Sequence, residues 1–212
     1  MTETPDLQYY KIAIAKNGGP VAFMLKENTF FFGKKDDTKN FIFIFSAYGK
    51  LICTVDLNKK IDRINEKKLK WIAFEFTDEE ELFIISNLGE LYFIDPKTGE
   101  FKDNMPKQLP ITNLVDSRFD NSSNLLVIRN SACQFCWIKS ISSTSGLQIN
   151  RFSTSAELES YGNIDESMIP DYISIPADKS GTRKLELLVA DPYDGFHLLG
   201  PENEAAAHHT DL

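Results

Sequence analysis

Short apolar runs, separated by turn-forming residues, recur along this chain and narrow the folds that it can adopt. The stretch KWIAFEFTDEEELFIISNLGELYFIDPKTGEF, from Lys70 to Phe101, holds three complete runs and the start of a fourth. Its first run is rich in aromatic and β-branched side chains, which favour strands. The residues between the runs include Asn, Gly, Pro and Asp, which favour tight turns. The stretch therefore predicts consecutive strands at residues 71–76, 82–85 and 91–94, with a fourth from Glu100.

The second and third runs, LFII and LYFI, are apolar throughout and do not alternate with polar residues. A strand of this kind must be covered on both faces of its sheet. The turns between the runs are too short to contain crossover helices, so the strands must be antiparallel. The pattern therefore predicts a sheet that is packed between other sheets.

The same unit of short strands recurs along the chain at a spacing of about 50 residues. In each of the first three units a glycine precedes the fourth strand, and these glycines are Gly49, Gly99 and Gly146. The other predicted strands are GPVAFML, TFFFG, NFIFIF and KLICTVDL in the first unit, LVDSRF, NLLVIRN, CQFCWIK and GLQINRF in the third, and YISIP, KLELLVAD and GFHLLG in the fourth. Four-stranded antiparallel units at this period are typical of β-propeller blades, and an irregular β-sandwich is the alternative.

We therefore predict an all-β fold, a β-propeller of four-stranded antiparallel blades of which about three and a half are present. Residues 1–200 would form this partial propeller, and residues 201–212 a flexible C-terminal tail. The last unit lacks a fourth strand. We therefore expect an open arc of blades, with an unpaired strand edge and apolar surface around residues 185–190 and 195–199.

The composition limits the kinds of partner and setting. The 212 residues carry a net charge of -8 and are 42% hydrophobic, which suits one domain with a core. The acidic balance argues against recognition of nucleic acid through overall charge. No run approaches 18 consecutive apolar residues, and the first residues, MTETPDLQYY, lack the pattern of a secretory signal. Three cysteines do not make a disulfide framework, so we expect a reducing, cytoplasmic setting.

Residue types that usually carry catalysis or bind metals are sparse. None of the three histidines precedes His197, which lies in the apolar run GFHLLG and is expected to be a strand residue. Cys133 and Cys136 would point to opposite faces of one strand, so we expect small buried hydrophobes rather than zinc ligands. The four acids from Asp78 to Glu81 are expected to form a solvated turn. The sequence therefore predicts no catalytic residues, no cofactor and no metal.

The stretch from Asn58 to Lys70 is locally basic in an otherwise acidic chain. It suits either a helix or a solvated loop between blades. As a functional site it would make an electrostatic contact with an acidic partner or with anionic lipid. The candidate contact residues are Lys59, Lys60, Arg63, Lys67, Lys68 and Lys70.

Several stretches, taken in order, resemble the N-terminal propeller of the vacuolar protein sorting-associated protein sixteen family. They are GGPVAFML, IFIFSAYGKLI, IAFEFTDEEELFIISNLGELYFID, GEF and LLVADPYDGFHLL. The resemblance extends from Lys11 to Gly200 and is weaker between Lys102 and Asp171.

Within this resemblance, TDEEEL (residues 77–82) and LGELYF (residues 88–93) stand at the family's acidic turn and at its Gly-containing turn. Two positions depart from the family pattern. Phe76 stands where the family usually has Trp, and residues 58–69 resemble an insertion.

The resemblance implies a non-catalytic scaffold module of the HOPS and CORVET membrane-tethering complexes. These complexes act in vesicle transport and fusion at late endosomes, lysosomes or vacuoles. It implies a cytoplasmic location, at most peripheral to those membranes, and other tethering subunits as partners. In the family an SM-family subunit, which chaperones SNARE assembly, binds a helical solenoid that follows the propeller. We expect that contact only through a downstream helical region that is absent here.

Two other functions are alternatives. Propellers share turn chemistry without sharing function, so a generic interaction scaffold of another trafficking or cytoskeletal assembly is the first. A hydrolase or lyase built on a propeller is the second. It is disfavoured because the sequence offers no convergent set of histidine, metal ligands and nucleophile.

Overall fold

A computed structural model describes the chain at residues 6–31, 34–61, 69–103, 105–120, 124–132, 134–139, 141–144, 147, 149–152, 171–175, 185–191 and 195–200. Within these residues the strands form three four-stranded sheets and one three-stranded sheet. In every sheet the strands lie side by side in chain order, as in an up-and-down meander. The chain is therefore an all-β, incomplete propeller, as the repeat predicted, and we call each sheet a blade.

The strands of the first two blades occupy the N-terminal half of the chain. Those of the first blade are β1 (Asp6–Ile14), β2 (Val21–Phe31), β3 (Lys34–Phe45) and β4 (Leu51–Asp56). Those of the second blade are β5 (Trp71–Phe76), β6 (Leu82–Ser86), β7 (Glu90–Ile94) and β8 (Lys107–Gln108). A 3₁₀ turn (Lys16–Gly18) joins β1 to β2, and a one-turn helix, α1 (Leu57–Lys60), follows β4.

The third and fourth blades follow in the same manner. The strands of the third blade are β9 (Leu114–Asp120), β10 (Leu125–Asn130), β11 (Phe135–Lys139) and β12 (Ile149–Arg151). Those described for the fourth blade are β13 (Asp171–Ile175), β14 (Glu186–Asp191) and β15 (Gly195–Leu199). These seven strands overlap the runs that the sequence predicted for the two blades.

The first blade corrects the predicted strand assignment. The runs GPVAFML and TFFFG, predicted as two strands, belong to the single long strand β2, and the first strand is β1. The residues between the two runs contain no Gly or Pro, and the backbone ladder with β3 continues through Lys26 opposite Asn40. The stretch KNGGP (residues 16–20) therefore connects β1 to β2.

The second blade confirms three predicted strands and corrects the fourth. β5 has the predicted bounds, and β6 and β7 each extend one residue beyond them. The fourth strand does not run on from Glu100. Phe101 makes one isolated bridge with Ile94, and pairing with β7 resumes only at β8. Pro106, just before β8, has no N–H to donate to such a ladder.

Two glycines are required by close packing at turns of the second blade. Gly89 has a φ of 82°, and a Cβ at this position would lie 2.3 Å from the Ile111 carbonyl oxygen. Gly99, predicted before the fourth strand, has a φ of 74° and would place a Cβ 3.1 Å from the Val55 side chain of β4. The Cys53 thiol of the same strand lies 3.4 Å from the Pro96 carbonyl oxygen. This turn therefore packs directly on the edge strand of the first blade.

The chain divides into two compact units, and the first contains the first two blades. It comprises residues 1–114 together with residues 142–146. Its core lies between the blades, where alternate residues of β1 to β4, such as Met24 and Ile44, meet Trp71, Phe74 and Phe76 of β5. Every residue of β6 is buried. Both faces of this strand are therefore covered, as its uninterrupted apolar run predicted.

The second unit comprises residues 115–141 and 147–212. Its core is formed by the third and fourth blades. Leu125, Val127 and Phe135 pack with Tyr172 of β13 and Leu187 of β14, among others. The rings of Phe135 and Tyr172 meet edge to face with 5.2 Å between their centroids. In the described residues β15 is the edge strand of the fourth blade, and Leu198 is exposed.

The residues singled out for possible chemistry lie as follows. Cys136 is buried in β11, in agreement with its interpretation as a small hydrophobe, whereas Cys133 lies outside the described residues. His197 is in β15, as expected for a strand residue. The described part of the chain contains no group of three or more His, Cys, Asp or Glu side chains that suits a metal ion. No helix in that part is both long and apolar enough to cross a membrane.

Candidate interaction site

The predicted basic segment, residues 58–70, begins in the helix α1. The Asp56 carboxylate caps this helix by accepting a 3.1 Å hydrogen bond from the Asn58 backbone N–H. Leu57 and Ile61, four residues apart, are both buried in the core of the first unit. Residues four apart lie on one side of a helix, so the two intervening lysines are directed outward.

The structure describes three of the six candidate cations. Lys59 lies 3.4 Å from the Asp56 carboxylate, and Lys60 lies 2.7 Å from the Glu100 carboxylate. Lys70 is exposed, and its backbone N–H donates to the Asn87 side chain at 2.9 Å. The other three, Arg63, Lys67 and Lys68, lie outside the described residues.

These ion pairs leave the lysines accessible. The Lys59 side chain is 81% exposed and that of Lys60 is 43% exposed. Exposed pairs of this kind contribute little to stability, because water screens them and ordering two long side chains costs entropy. Both lysines therefore remain accessible to an external anion.

The acidic turn between β5 and β6 differs from its sequence-based prediction. Residues 78–80 are exposed, as a solvated turn requires, but Glu81 is buried. The turn is closed by the Thr77 backbone N–H, which donates to the Glu81 carbonyl oxygen at 2.9 Å. The Thr77 hydroxyl accepts from the Glu81 backbone N–H at 3.1 Å. This geometry points the last of the four acids inward, so the prediction of a solvated turn is wrong for Glu81.

Two distant segments supply donors to the buried Glu81 carboxylate. The Lys102 ammonium donates a hydrogen bond to Oε1 of Glu81 and forms an ion pair with that carboxylate. The Ser143 hydroxyl donates to the same oxygen at 2.5 Å, and the Ser143 backbone N–H donates to Oε2 at 2.8 Å. Burial acts to raise the pKa of Glu81, but the hydrogen bonds from Lys102 and Ser143 outweigh it and leave that pKa lowered.

Further polar contacts surround this carboxylate. Ser142 donates its hydroxyl to the Glu79 carboxylate at 3.1 Å. Lys107 donates its ammonium to the Ser143 carbonyl oxygen at 2.7 Å. Asp78 of the same turn forms an ion pair with Lys16 of the first blade. The acidic turn is therefore a polar junction within the first unit, which the sequence did not predict.

The first blade also has an apolar outer face, which we define as the side opposite the core. Ile12 and Ile14 of β1 alternate with the buried Ala13 and are 42% and 55% exposed. Their neighbours across the sheet include Phe23 of β2 and Phe45 of β3, whose rings meet edge to face at 5.7 Å. The sequence interpretation missed this face because it did not assign β1 as a strand.

Comparisons with known proteins place the chain in a family. A sequence profile described as "Vps16, N-terminal region" matches residues 2–158, a range that includes the first three blades. A search of curated proteins found no match. Among solved structures, the chain is similar to a crystal structure of a protein of unknown function from Bacteroides caccae, determined at 1.35 Å resolution. The two chains share 10% sequence identity, the match covers 88% of this chain and 71% of that chain, and the TM-score is 0.38.

That structural likeness is too distant to carry an argument about function. The profile match extends over well more than half of the chain and agrees with the order of motifs in the sequence and with the blades in the structure. The chain belongs to the family of the Vps16 N-terminal region, whose members are structural subunits of multisubunit vacuolar protein sorting assemblies.

Proposed function

We propose that this chain is a non-catalytic scaffold module of a HOPS- or CORVET-like membrane-tethering complex. Such a complex acts in vesicle transport from endosomes to lysosomes or vacuoles. The observation that carries the proposal is the family match over residues 2–158. A scaffold needs a rigid surface, and blades with buried strands such as β6 and β10 supply one.

The partners in this proposal are the other subunits of the tethering complex. The module would contact them through protein surfaces and lie at the periphery of the late endosomal, lysosomal or vacuolar membrane. The basic segment, residues 58–70, would be one contact, made to an acidic subunit surface or to anionic lipid. The exposure of Lys59 and Lys60 supports this role, because neither side chain is buried by its ion pair.

Affinity capture from the native cell tests the proposal. The full chain, tagged and expressed at its natural level, is captured, and co-purifying proteins are identified and quantified by mass spectrometry. We expect near-stoichiometric recovery of other tethering-complex subunits. Recovery of a different trafficking or cytoskeletal assembly would contradict the proposal and support the alternative of a generic propeller scaffold.

A core variant supplies the control for this capture. Ile44 is fully buried between the first two blades, and Ile44→Asp places a charge in that core. We expect this variant to lose the captured subunits. If the subunits are recovered with the variant as well as with the native chain, the contact does not depend on folded blades.

A further inference from the structure

Residues 142–144 make a set of polar contacts that the proposed function does not explain. They lie in the sequence between β11 and β12, yet they are grouped with the first unit, while residues 115–141 and those from 147 onward belong to the second. The chain therefore enters the first unit at Ser142 and leaves it a few residues later.

The attachment of these residues is made by hydrogen bonds. Ser142 donates to Glu79, Ser143 donates twice to Glu81, and the Ser143 carbonyl oxygen accepts from Lys107. The three residues contain no apolar side chain larger than the methyl group of Thr144. Because these side chains are small and polar, detaching the segment exposes little apolar surface. Its hydrogen bonds exchange readily for bonds to water.

The acceptors make this attachment sensitive to added negative charge. The two hydroxyls and the one backbone N–H that Ser142 and Ser143 direct to the acidic turn are all accepted by the carboxylates of Glu79 and Glu81. Thr144 is exposed, and its hydroxyl lies 3.0 Å from the Ser142 hydroxyl, which in turn lies 3.1 Å from the Glu79 carboxylate. A negative charge at position 144 would therefore face a nearby carboxylate and be repelled by it.

We propose that residues 142–144 form a strap on the acidic turn of the second blade. The strap opens locally while the blades stay folded, and a negative charge at position 144 releases it. The strap contacts the buried Glu81 carboxylate through the Ser143 hydroxyl and backbone N–H, and both donors leave the carboxylate when the strap opens. The Lys102 ammonium stays on the blade and keeps that carboxylate paired. Opening is thus a local event with a lower cost than unfolding of the β6 ladder.

Amide hydrogen exchange of the full chain, resolved by residue, tests the strap. The probe is the Ser143 backbone N–H, whose acceptor is Glu81. In the native chain we expect this amide to exchange faster than the amide of Ile84, which lies in the fully buried β6. Its exchange should also depend only weakly on denaturant, which is the signature of local opening.

Substitutions at the exposed position 144 change the strap without touching the core. Thr144→Glu should accelerate exchange of the Ser143 amide by about tenfold or more, the factor expected for loss of one hydrogen bond to a charged group. Thr144→Gln, its uncharged match, should have a smaller effect. Glu81→Gln should accelerate the same amide, whereas Glu80→Gln in the same turn should not, because Glu80 is exposed.

The exchange rates of the Ser143 and Ile84 amides distinguish local opening of the strap from unfolding of the blade. Acceleration at Ser143 with unchanged exchange at Ile84 supports a strap that opens by itself. The proposal is overturned if Ser143 and Ile84 exchange at one common rate in the native chain. It is overturned equally if Thr144→Glu and Thr144→Gln leave the Ser143 amide unchanged. Thr144 is exposed, so these two variants keep the test valid even if Glu81→Gln fails to fold.

Discussion

The Glu81 carboxylate accepts a 2.8 Å hydrogen bond from the backbone N–H of Ser143, a residue 62 positions later in the chain. An ionised carboxylate is costly to bury unless it is paired and hydrogen-bonded. Glu81 meets this requirement through Lys102 and Ser143, neither of which is near it in sequence. The polar junction of the first unit therefore depends on tertiary structure, and removing a single donor should have a measurable cost.

Lys102→Met should destabilise the chain. The substitution removes the ammonium partner of the buried Glu81 carboxylate, and a hydrogen bond to a charged group contributes about 1.5–3 kcal/mol. Urea unfolding should show this loss in the free energy of unfolding. The matched control is Lys97→Met, which removes an exposed lysine from a neighbouring turn. Equal effects of the two substitutions would mean that the contact with Glu81 contributes nothing.

The same variant should respond to acid in a defined direction. The pKa of Glu81 is lowered from its ordinary value of 4.5 in the folded chain. The stabilisation from the ionised carboxylate is therefore present above about pH 4.5 and is lost as the pH falls through the lower, folded pKa. The difference in stability between the native chain and Lys102→Met should accordingly narrow in acid, which thermal melts at stepped pH values can follow.

Glu75 of β5 should have the opposite pH dependence. Burial raises the pKa of Glu75 from 4.5 to about 7, while the charge of Lys11 acts to lower it. Its stabilising contribution is therefore present below about pH 4.5 and is lost as the pH rises through about 7. Glu75→Gln should gain stability relative to the native chain between pH 4 and pH 8. Melting temperatures of both chains across this range would contradict the prediction if their difference stays constant, with Glu80→Gln as the exposed control.

The two faces of the first blade should respond unequally to truncation. Ile44 is fully buried in the core, and Ile44→Ala should cost about 2–5 kcal/mol through lost burial and a cavity. Ile14 is 55% exposed on the outer face, so Ile14→Ala should cost about 0.5–1 kcal/mol. Chemical denaturation of both variants decides the matter. Similar losses would mean that the outer face is covered in solution.

Gly89→Ala should be far more harmful than Gly49→Ala. Both glycines have positive φ values, 82° and 76°, so alanine is strained at either position by about 1–2 kcal/mol. A Cβ at Gly89 would also meet the Ile111 carbonyl oxygen, whereas one at Gly49 would meet no described heavy atom within 4 Å. The difference in free energy of unfolding between the two variants isolates the backbone clash. This difference should be larger than the backbone strain that alanine causes at either position.

Charge reversal tests the basic segment. Lys59→Glu with Lys60→Glu should weaken binding to captured acidic subunits or to anionic vesicles, most strongly at low salt. The difference should shrink as the Debye length falls from about 30 Å at 0.01 M to about 3 Å at 1 M salt. The control reverses Lys50 and Lys97, two exposed lysines elsewhere, and changes the net charge equally. Loss of vesicle binding alone identifies lipid as the ligand, and loss of subunit binding alone identifies protein. If the double variant at Lys59 and Lys60 binds as well as the control variant, the proposed contact of the basic segment is contradicted.

Local patterns predicted most of the strands because those strands carry their own signals. β5 has the predicted bounds since its aromatic run is closed by a polar turn on one side and a basic segment on the other. Gly99 was predicted at a turn and is required there by the packing of Val55. The first blade was misassigned because the polar residues within β2 resemble a turn, although the register with β3 continues through them.

The candidate site was less predictable, and the reason is physical. The acids of the turn at residues 78–81 are alike in sequence, and only the turn geometry directs Glu81 inward. Its donors are 21 and 62 residues away, beyond the reach of any local pattern. The basic segment was visible from its charge alone, but its pairing with Glu100 again required the fold.

The return of residues 142–146 to the first unit has a consequence for synthesis on the ribosome. Glu81 is translated 62 residues before Ser143, which at about 5–20 residues per second is an interval of about 3–12 seconds. Both blades of the first unit are completed within this interval, but the serine donors to its buried carboxylate are made only at its end. The nascent chain thus completes its first unit out of order, after β11 of the third blade has already been translated.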